Sequence, residues 1–372
     1  FLFVFTLAPL KSKIILEQKN LFYILLTAIL ARYLVAIINL TDNITPGSQY
    51  DANTFFQNAS KSANVITFNF DNGATFYQSL LSLLFFFTGP SRFLGSQLSI
   101  LAFALAALYF VKIFHVVHSI RLKPFPFILF TWLPSSILLT SITLRESFQL
   151  LCTVFFVYFC LLLIKQKGQV FVTWAKLVVS SFFLTMLHHA LFSFVGGVFV
   201  SLLFFIRTFV FKFSLSVLIL ISIIFGYSTL NLIFQGSVIA FINEFQSTFL
   251  QPEYLIKGRT TYKQYIQFET NLDAILLIPK SVFYYITMPV PQLIRQPIDL
   301  YAFFEVLLRV YFLFSIFIYW RWTLNSYEKK FLFVAYFLML TLWAVGTVNY
   351  GTGIRHHILD MWFLYILAFQ IK

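Results

Sequence analysis

Three aspartates follow the first long apolar run of the chain. Asp42 closes that run, Asp51 lies in the stretch TDNITPGSQYDANTFF, and Asp71 lies in FNFDNGATFYQ. A carboxylate beside a membrane suits a general base that takes a proton from a hydroxyl acceptor. Aspartate is also a common turn and cap residue, which is the structural alternative. We prefer Asp51 over Asp42 as the base, because it lies farther beyond the run and the loop can fold back over the site.

Arg145 and Glu146 interrupt the apolar stretch PSSILLTSITLRESFQLL. Thr143 and Glu146 have the spacing of a capping box, so capping of the next helix is the structural alternative for Glu146. An arginine between apolar segments needs an anionic partner, and a guanidinium group matches the geometry of a phosphate. Arg145 is therefore a candidate for binding a lipid phosphate.

Two histidines, His188 and His189, lie at a turn between two apolar runs. Such a pair could bind a metal or a phosphate, but a further ligand at helical spacing is missing, and polar capping of the turn is the alternative. We predict no metal site here and no resident cofactor. A divalent metal at the acids stays an alternative.

The second half of the chain carries basic candidates at Arg259 and Arg295. The apolar run 302–319 then contains Glu305 and Arg309, whose spacing allows an intrahelical ion pair. Ionisable groups at membrane depth are also functional candidates.

The stretch VNYGTGIRHH places Asn349, Arg355, His356 and His357 before the last apolar run, with two glycines that make the backbone permissive. A binding site for phosphate or pyrophosphate explains three potential cations in a row. A contact with lipid headgroups is the alternative.

The composition of the chain shows that these residues must be positioned by elements of a membrane protein. Of the 372 residues, 60% are hydrophobic, 20% aromatic and 10% charged, and 51 are Phe. A soluble domain has about 25% charged residues, so this chain cannot cover a water-facing surface. The composition excludes a soluble enzyme, a nucleic-acid binder and a disordered protein, despite the net charge of +13.

The apolar runs are long enough to cross a bilayer, which takes about 20 residues in a helix. We predict an all-α polytopic transmembrane bundle of about ten spans, with an eleventh at Phe1–Leu10. The runs lie near 20–40, 94–114, 124–143, 147–164, 170–187, 190–206, 214–233, 302–319, 331–347 and 357–371. Two shorter runs, 76–88 and 274–290, are expected to be interfacial or re-entrant helices. We expect one membrane domain over 1–372.

The distribution of Lys and Arg orients this array. With Lys11–Lys19 in the cytoplasm, that side receives more than half of the 26 bases and, of the 13 acids, only Glu17 and Glu328. This agrees with the positive-inside rule. Two long loops, 41–93 and 234–301, then lie together on the non-cytoplasmic side and carry the presumed active site.

Several motifs resemble the GT-C superfamily of polytopic glycosyltransferases, which use polyprenyl-phosphate sugars and include protein O-mannosyltransferases and the lipid A aminoarabinose transferase. YDANTF resembles their acidic first-loop motif, and GATFYQSLLSLLFFFTGPSRFLGSQLSILAFALAALYF their juxtamembrane helix, glycine turn and next span. LPSSILLTSITLRES, the MPVPQ turn at 288–292 and VNYGTGIRHH resemble a GT-C-like branch encoded in bacterial polysaccharide gene clusters. The likeness covers most of residues 20–372 through short motifs.

The resemblance implies transfer of a sugar from a polyprenyl-linked donor to a glycan, lipid or protein acceptor at the outer face of a bacterial inner membrane. Many relatives carry paired acids where this chain has Asp51-Ala52, so Asp51 and Asp42 both stay candidates for the base. The leaving phosphate would be bound by cationic residues: Arg145, Arg355, His356 and Arg259. Further candidates are Glu146, His188, His189, Asn349 and Arg295.

Three other functions stay open. MLHHALFSF and the general layout also resemble polysaccharide polymerases of the Wzy or EpsG kind, in which the acceptor is lipid-linked as well. A transporter of lipid-linked sugars would show repeated halves and polar residues at mid-bilayer. A non-catalytic membrane subunit would keep the same fold.

The predicted topology can be tested by cysteine labelling. Single cysteines introduced at Ser60 and Lys263 should both react with a membrane-impermeant thiol reagent outside intact cells, because both loops are expected on the non-cytoplasmic side. A cysteine at Lys123, on the expected cytoplasmic side, is the control and should stay unlabelled. Labelling of positions 60 and 263 from opposite sides would refute the topology.

Overall fold

The computed structural model describes residues 2–42, 49–64, 68–167, 169–206, 260–262 and 271–369. These residues form helices and turns, with one isolated antiparallel bridge between Thr261 and Asn349 and no strand among them. The predicted all-α fold is confirmed. The chain divides into two compact units, Phe1–Phe192 with Phe369–Lys372, and Ser193–Ala368. One membrane domain over 1–372 stays a prediction.

The first unit contains ten described α-helices and a short 3-10 helix at Ala8–Lys11. The α-helices are α1 (Leu2–Thr6), α2 (Lys13–Leu16), α3 (Lys19–Asp42), α4 (Gln49–Ser62), α5 (Gly73–Thr88), α6 (Arg92–His118), α7 (Pro124–Trp132), α8 (Pro134–Thr140), α9 (Glu146–Ile164) and α10 (Val170–Leu187).

The described part of the second unit is also helical, with a 3-10 turn at Pro291–Leu293. Its helices are α11 (Leu191–Phe205, whose first two residues belong to the first unit), α12 (Asn271–Thr287), α13 (Pro297–Ile318), α14 (Trp320–Thr323), α15 (Tyr327–Gly346) and α16 (Tyr350–Ala368).

Six of the described helices are long and apolar enough to cross a membrane, which identifies an integral membrane protein. They are Lys19–Leu40, Arg92–His118, Glu146–Ile164, Val170–Leu187, Asp299–Ile318 and Tyr327–Gly346. The two runs expected not to span form shorter helices, α5 with 16 residues and α12 with 17. The predicted run 214–233 lies outside the described residues.

In the first unit, α9 packs between α6 and α10, and α5 packs against α4 and α10. Gly73 at the start of α5 makes the second contact possible, because a Cβ atom there would overlap the carbonyl oxygen of Leu187. Asn72 precedes it with a capping box to Thr75, which fixes where α5 begins. Helix α5 is thus held at its first residue.

In the second unit, α16 packs against α13 and α15, and α12 packs against the same two helices. The side chains of α16 from His357 to Leu367 are all buried. A helix buried on every side is the core of its unit. Any polar side chain on α16 therefore has to find its partners inside the protein.

The run 124–143, which was predicted as one span, does not form one continuous helix: it forms two short helices, α7 and α8. The break falls at Leu133, where the backbone is extended (ψ 138°) before Pro134. A proline has no N–H and its ring blocks helix continuation, so the helix stops at the preceding residue. The carbonyl of Phe130, four residues before Pro134, loses its usual helical donor.

Arg32, in the middle of α3, donates hydrogen bonds to side chains at this break, and it is fully buried. The Ser136 hydroxyl donates to the Phe130 carbonyl (3.2 Å) and accepts from Arg32 Nη2 (2.9 Å). Arg32 Nε donates to Thr140 Oγ1 (2.7 Å), and the guanidinium lies 3.4 Å from the ring centroid of Phe103. Burying a cation is costly unless its donors are satisfied, and here hydroxyls, a backbone carbonyl and a ring face satisfy them.

Replacing Ser136 with Ala should destabilise the protein more than removal of an ordinary buried hydroxyl. The change removes the partners of both the Phe130 carbonyl and Arg32 Nη2, and each unsatisfied buried group costs about 1–3 kcal/mol. The control is Ser180→Ala, since Ser180 donates within its own helix to Leu177. Thermal unfolding in detergent should give a midpoint several degrees lower for Ser136→Ala, and equal midpoints would contradict the assigned role.

Candidate functional site

The start of α16 is fixed by Asn349 and by the segment 260–262. The Asn349 side-chain oxygen accepts from the Thr352 N–H (2.7 Å), and its carbonyl accepts from the Gly353 N–H (3.0 Å). The Tyr350 N–H donates to the Thr260 carbonyl (3.1 Å). Asn349 therefore caps the start of α16, which is a structural role. This role accounts for a polar residue at a position that the sequence indicated as a site candidate.

Arg355 and His356 lie in the second turn of α16, both half-buried. The helix begins at Tyr350 rather than at 357 as predicted, so both side chains belong to the helix and not to a preceding loop. His356 Nδ1 lies 2.9 Å from Thr347 Oγ1, and its ring stacks on Trp343 with centroids 3.9 Å apart. These contacts hold the imidazole in one orientation.

The N-terminal end of a helix carries a partial positive charge, which favours anions. The N–H groups of Tyr350, Thr352 and Gly353 are already bonded, so an anion at α16 would be attracted by charge rather than by free N–H groups. In α16 this end coincides with Arg355 and His356 within two turns. Tyr262 covers the same end by donating its hydroxyl to the Thr347 carbonyl (3.3 Å). Burial raises the pKa of Tyr262, although the nearby Arg309 charge opposes that shift, so the hydroxyl stays a neutral donor. The arrangement suits a phosphate group.

Asp51 lies half-buried in the first turn of α4. One turn later, Phe55 packs against Tyr77 of α5 (centroids 5.1 Å), and Tyr77 also contacts Phe148 of α9 (5.5 Å). A row of rings thus connects the helix that carries Asp51 to the first turn of α9. Asp42 is the last residue of α3, and its side chain lies outside the described part of the structure.

Arg145 and Glu146 lie where α9 begins, with Arg145 half-buried at the N-cap and Glu146 buried in the first turn. The capping-box interpretation of Thr143 and Glu146 is wrong, because Arg145 and not Thr143 is the N-cap. The Thr143 hydroxyl donates instead to the Arg92 carbonyl of α6 (3.4 Å). A carboxylate in a first turn is stabilised by the helix dipole, which is a structural role for Glu146.

The two histidines form the turn between α10 and α11. His188 is the C-cap of α10, and its Nδ1 accepts from the Ala190 N–H (3.3 Å), whereas His189 is exposed. This confirms the turn-capping alternative for His188. The described residues contain no group of three or more His, Cys, Asp or Glu side chains that could hold a metal ion.

Arg295 is exposed, and its backbone N–H donates to Asp299 Oδ2 (3.0 Å), which helps to cap α13. Arg259 lies outside the described residues. The structure thus groups Asn349, Arg355 and His356 in the second unit. It groups Asp51, Arg145, Glu146 and His188 on neighbouring helices of the first.

A polar cluster inside the second unit was missed as a site. The ring of His357 contacts the Asp360 carboxylate (3.1 Å) and the Tyr285 carbonyl (3.1 Å), and Arg309 Nη1 donates to the carbonyls of Tyr285 (3.2 Å) and Ile286 (3.0 Å). The spacing of His357 and Asp360 puts them on one helix face, a signal that the sequence offered. The sequence spacing indicated Glu305 as a partner for Arg309. In the structure Arg309 donates hydrogen bonds to backbone carbonyls of α12.

Comparison of the chain with protein-family models, with curated proteins and with solved structures finds no match.

Loss of the Asn349 cap should loosen the start of α16. In Asn349→Ala the side-chain acceptor for the Thr352 N–H is lost, which typically costs about 1 kcal/mol. Asn349→Ser is the matched control because serine also caps helices well. Hydrogen exchange of residues 350–353 should be faster in the alanine variant and near the wild-type rate in the serine variant. Equal protection in all three proteins would show that this cap is dispensable.

Proposed function

We propose that this chain is a membrane glycosyltransferase that moves a sugar from a polyprenyl-phosphate donor to an acceptor at the non-cytoplasmic face. In this proposal Arg355 and His356 bind the donor phosphate, with Arg145 and Arg259 as further cationic contacts. Asp51 is the base, and Asp42 is the alternative. The proposed transfer contributes to the assembly of a polysaccharide or another glycoconjugate.

One observation carries the proposal: Arg355 and His356 lie within two turns of the positive end of α16. Helix dipole, guanidinium and imidazole all favour the same ligand, an anion such as phosphate. The partners of His356, Thr347 and Trp343, keep its ring oriented, so binding needs little rearrangement. A donor with a lipid tail would bring its phosphate to the membrane surface, where such a helix end would receive it.

The proposed reaction is a direct displacement at the anomeric carbon. The acceptor oxygen forms a bond to this carbon, and the bond from the carbon to the phosphate oxygen breaks. Asp51 takes the acceptor proton, and the leaving phosphate keeps the electron pair of the broken bond. Negative charge grows on that phosphate in the transition state, so a preorganised cation accelerates the step.

The support for Asp51 is its position. α4 is amphipathic rather than apolar and packs against the juxtamembrane helix α5, so it suits a place where water and lipid meet. The carboxylate in its first turn is half-buried, which suits contact with an acceptor arriving from water. Asp71, in the same predicted loop, is exposed.

A proton-coupled transporter of lipid-linked sugars is the second candidate, and the cluster of Arg309, His357 and Asp360 favours it. These groups lie near the middle of α13 and α16, and ionisable groups at membrane depth often mark proton or substrate paths. A repeat-unit polymerase would use the same donor site with a lipid-linked acceptor. Sugar release from a purified donor separates both enzymes from a transporter and from a non-catalytic subunit.

Transfer should depend on Asp51 and Arg355 in different ways. With the protein in nanodiscs and a polyprenyl-phosphate sugar as donor, Asp51→Asn should abolish turnover and leave donor binding intact, since only the proton acceptor is lost. Arg355→Gln should lower the rate about 10²–10³-fold, as removal of one preorganised donor typically does. Asp71→Asn and Arg321→Gln, which change exposed residues, are the matched controls and should retain activity.

Wild-type turnover in Asp51→Asn together with a dead Asp42→Asn variant would move the role of base to Asp42. Activity in both variants would contradict the proposed mechanism. Substrate movement across the membrane without sugar release would favour the transporter.

A further inference from the structure

The hydrogen bonds of His357 determine how many protons it shares with Asp360. Its Nε2 lies 3.1 Å from the Tyr285 carbonyl oxygen, which can only accept, so Nε2 carries a hydrogen. Its Nδ1 lies 3.2 and 3.1 Å from the two carboxylate oxygens of Asp360. A neutral imidazole has one N–H, so this second contact needs another proton, held on Nδ1 or on the carboxyl group.

The pair of His357 and Asp360 therefore holds one proton more than a neutral histidine beside an ionised aspartate would. Without that proton, one bare ring nitrogen would face either the carboxylate or the carbonyl oxygen. Both side chains are buried, at 3% and 0% exposure, so water would not screen this repulsion. The geometry thus belongs to the proton-loaded state.

The charged and titratable groups around the pair come from every helix packed against α16. Arg309 and Glu305 lie on α13, Tyr285 on α12, Tyr336 on α15 and Tyr365 on α16 itself, with Tyr262 near Arg309. The Tyr285 hydroxyl donates to Asp360 Oδ2 (3.2 Å) and so favours the ionised carboxylate.

The proton also has a structural consequence at the end of α12. Tyr285 and Ile286 are among the last four residues of that helix, whose carbonyls lack donors within the helix. His357 and Arg309 supply the donors, and cations at a helix C-terminus are favourable. Loss of the shared proton removes or opposes the contact of His357, leaving Arg309 as the cap.

We propose that His357 and Asp360 form a buried proton-binding site whose occupancy fastens the C-terminal end of α12 to α16. The ligand is a proton, and the responding element is α12, a helix within the second predicted outer loop. This inference does not depend on the glycosyltransferase proposal, since it concerns the contact of two helices within the second unit.

Hydrogen exchange of the whole protein in nanodiscs tests the proposal between pH 5.5 and 8.5. After correction for the intrinsic pH dependence of exchange, peptides covering residues 277–290 should exchange several-fold faster as the pH rises. Asp360→Asn is the key variant, because its amide N–H can donate to Nδ1 and has no proton to lose. Its exchange should stay slow at every pH, and peptides from α9 should show no trend in either protein.

Tyr285→Phe provides a second variant that keeps the ring and the backbone carbonyl. It removes a hydrogen bond to the ionised carboxylate, so the pH midpoint of the exchange transition should move upward. Infrared and ¹⁵N spectra of the wild type at low pH should show either a protonated Asp360 carboxyl or a doubly protonated His357. Absence of both signatures, or the same pH profile in the wild type, Asp360→Asn and Tyr285→Phe, would overturn the proposal.

Discussion

A backbone group buried away from water needs a partner inside the protein, and this constraint shapes both units. In hydrocarbon a helix satisfies its own interior but leaves its ends open, so every buried helix end or break calls for a side chain. Arg32 and Ser136 serve the break between α7 and α8. Arg309 and His357 serve the end of α12, and Asn349 serves the start of α16. Several buried polar side chains of this apolar chain therefore bind the open ends of other helices.

The same constraint makes helix ends suitable places for binding a ligand. An end that attracts a capping side chain also carries a dipole charge, so a ligand of the right sign can take the place of a cap. At the start of α16, Arg355 and His356 add full or potential positive charge to a positive helix end. At the start of α9, Glu146 instead supplies a negative group from the protein itself. The start of α9 thus carries both charges, with Arg145 at its N-cap, whereas the start of α16 carries no acidic side chain in its first turn.

The sequence predicted the fold class well because apolar length and charge content are properties of composition. It also predicted the turn at His188 and the short helices α5 and α12. The sequence interpretation did not foresee the helix break within 124–143, because a hydropathy run does not register the helix stop that Pro134 imposes. It also missed Arg32 as a polar centre, because its partners Thr140 and Ser136 are 108 and 104 positions away along the chain and only packing brings them together. Asp360 was missed although His357 lies only three positions before it. Caps within a few residues were easier to foresee than these distant contacts.

The central claim is that the positive end of α16 binds the phosphate of a polyprenyl-linked donor. The most direct test is a cryo-electron microscopy map of the protein in nanodiscs that contain polyprenyl phosphate. The account predicts phosphate density within hydrogen-bond distance of Arg355, beside the stacked rings of His356 and Trp343. Phosphate density at another site, with the start of α16 left open to solvent or lipid, would contradict it.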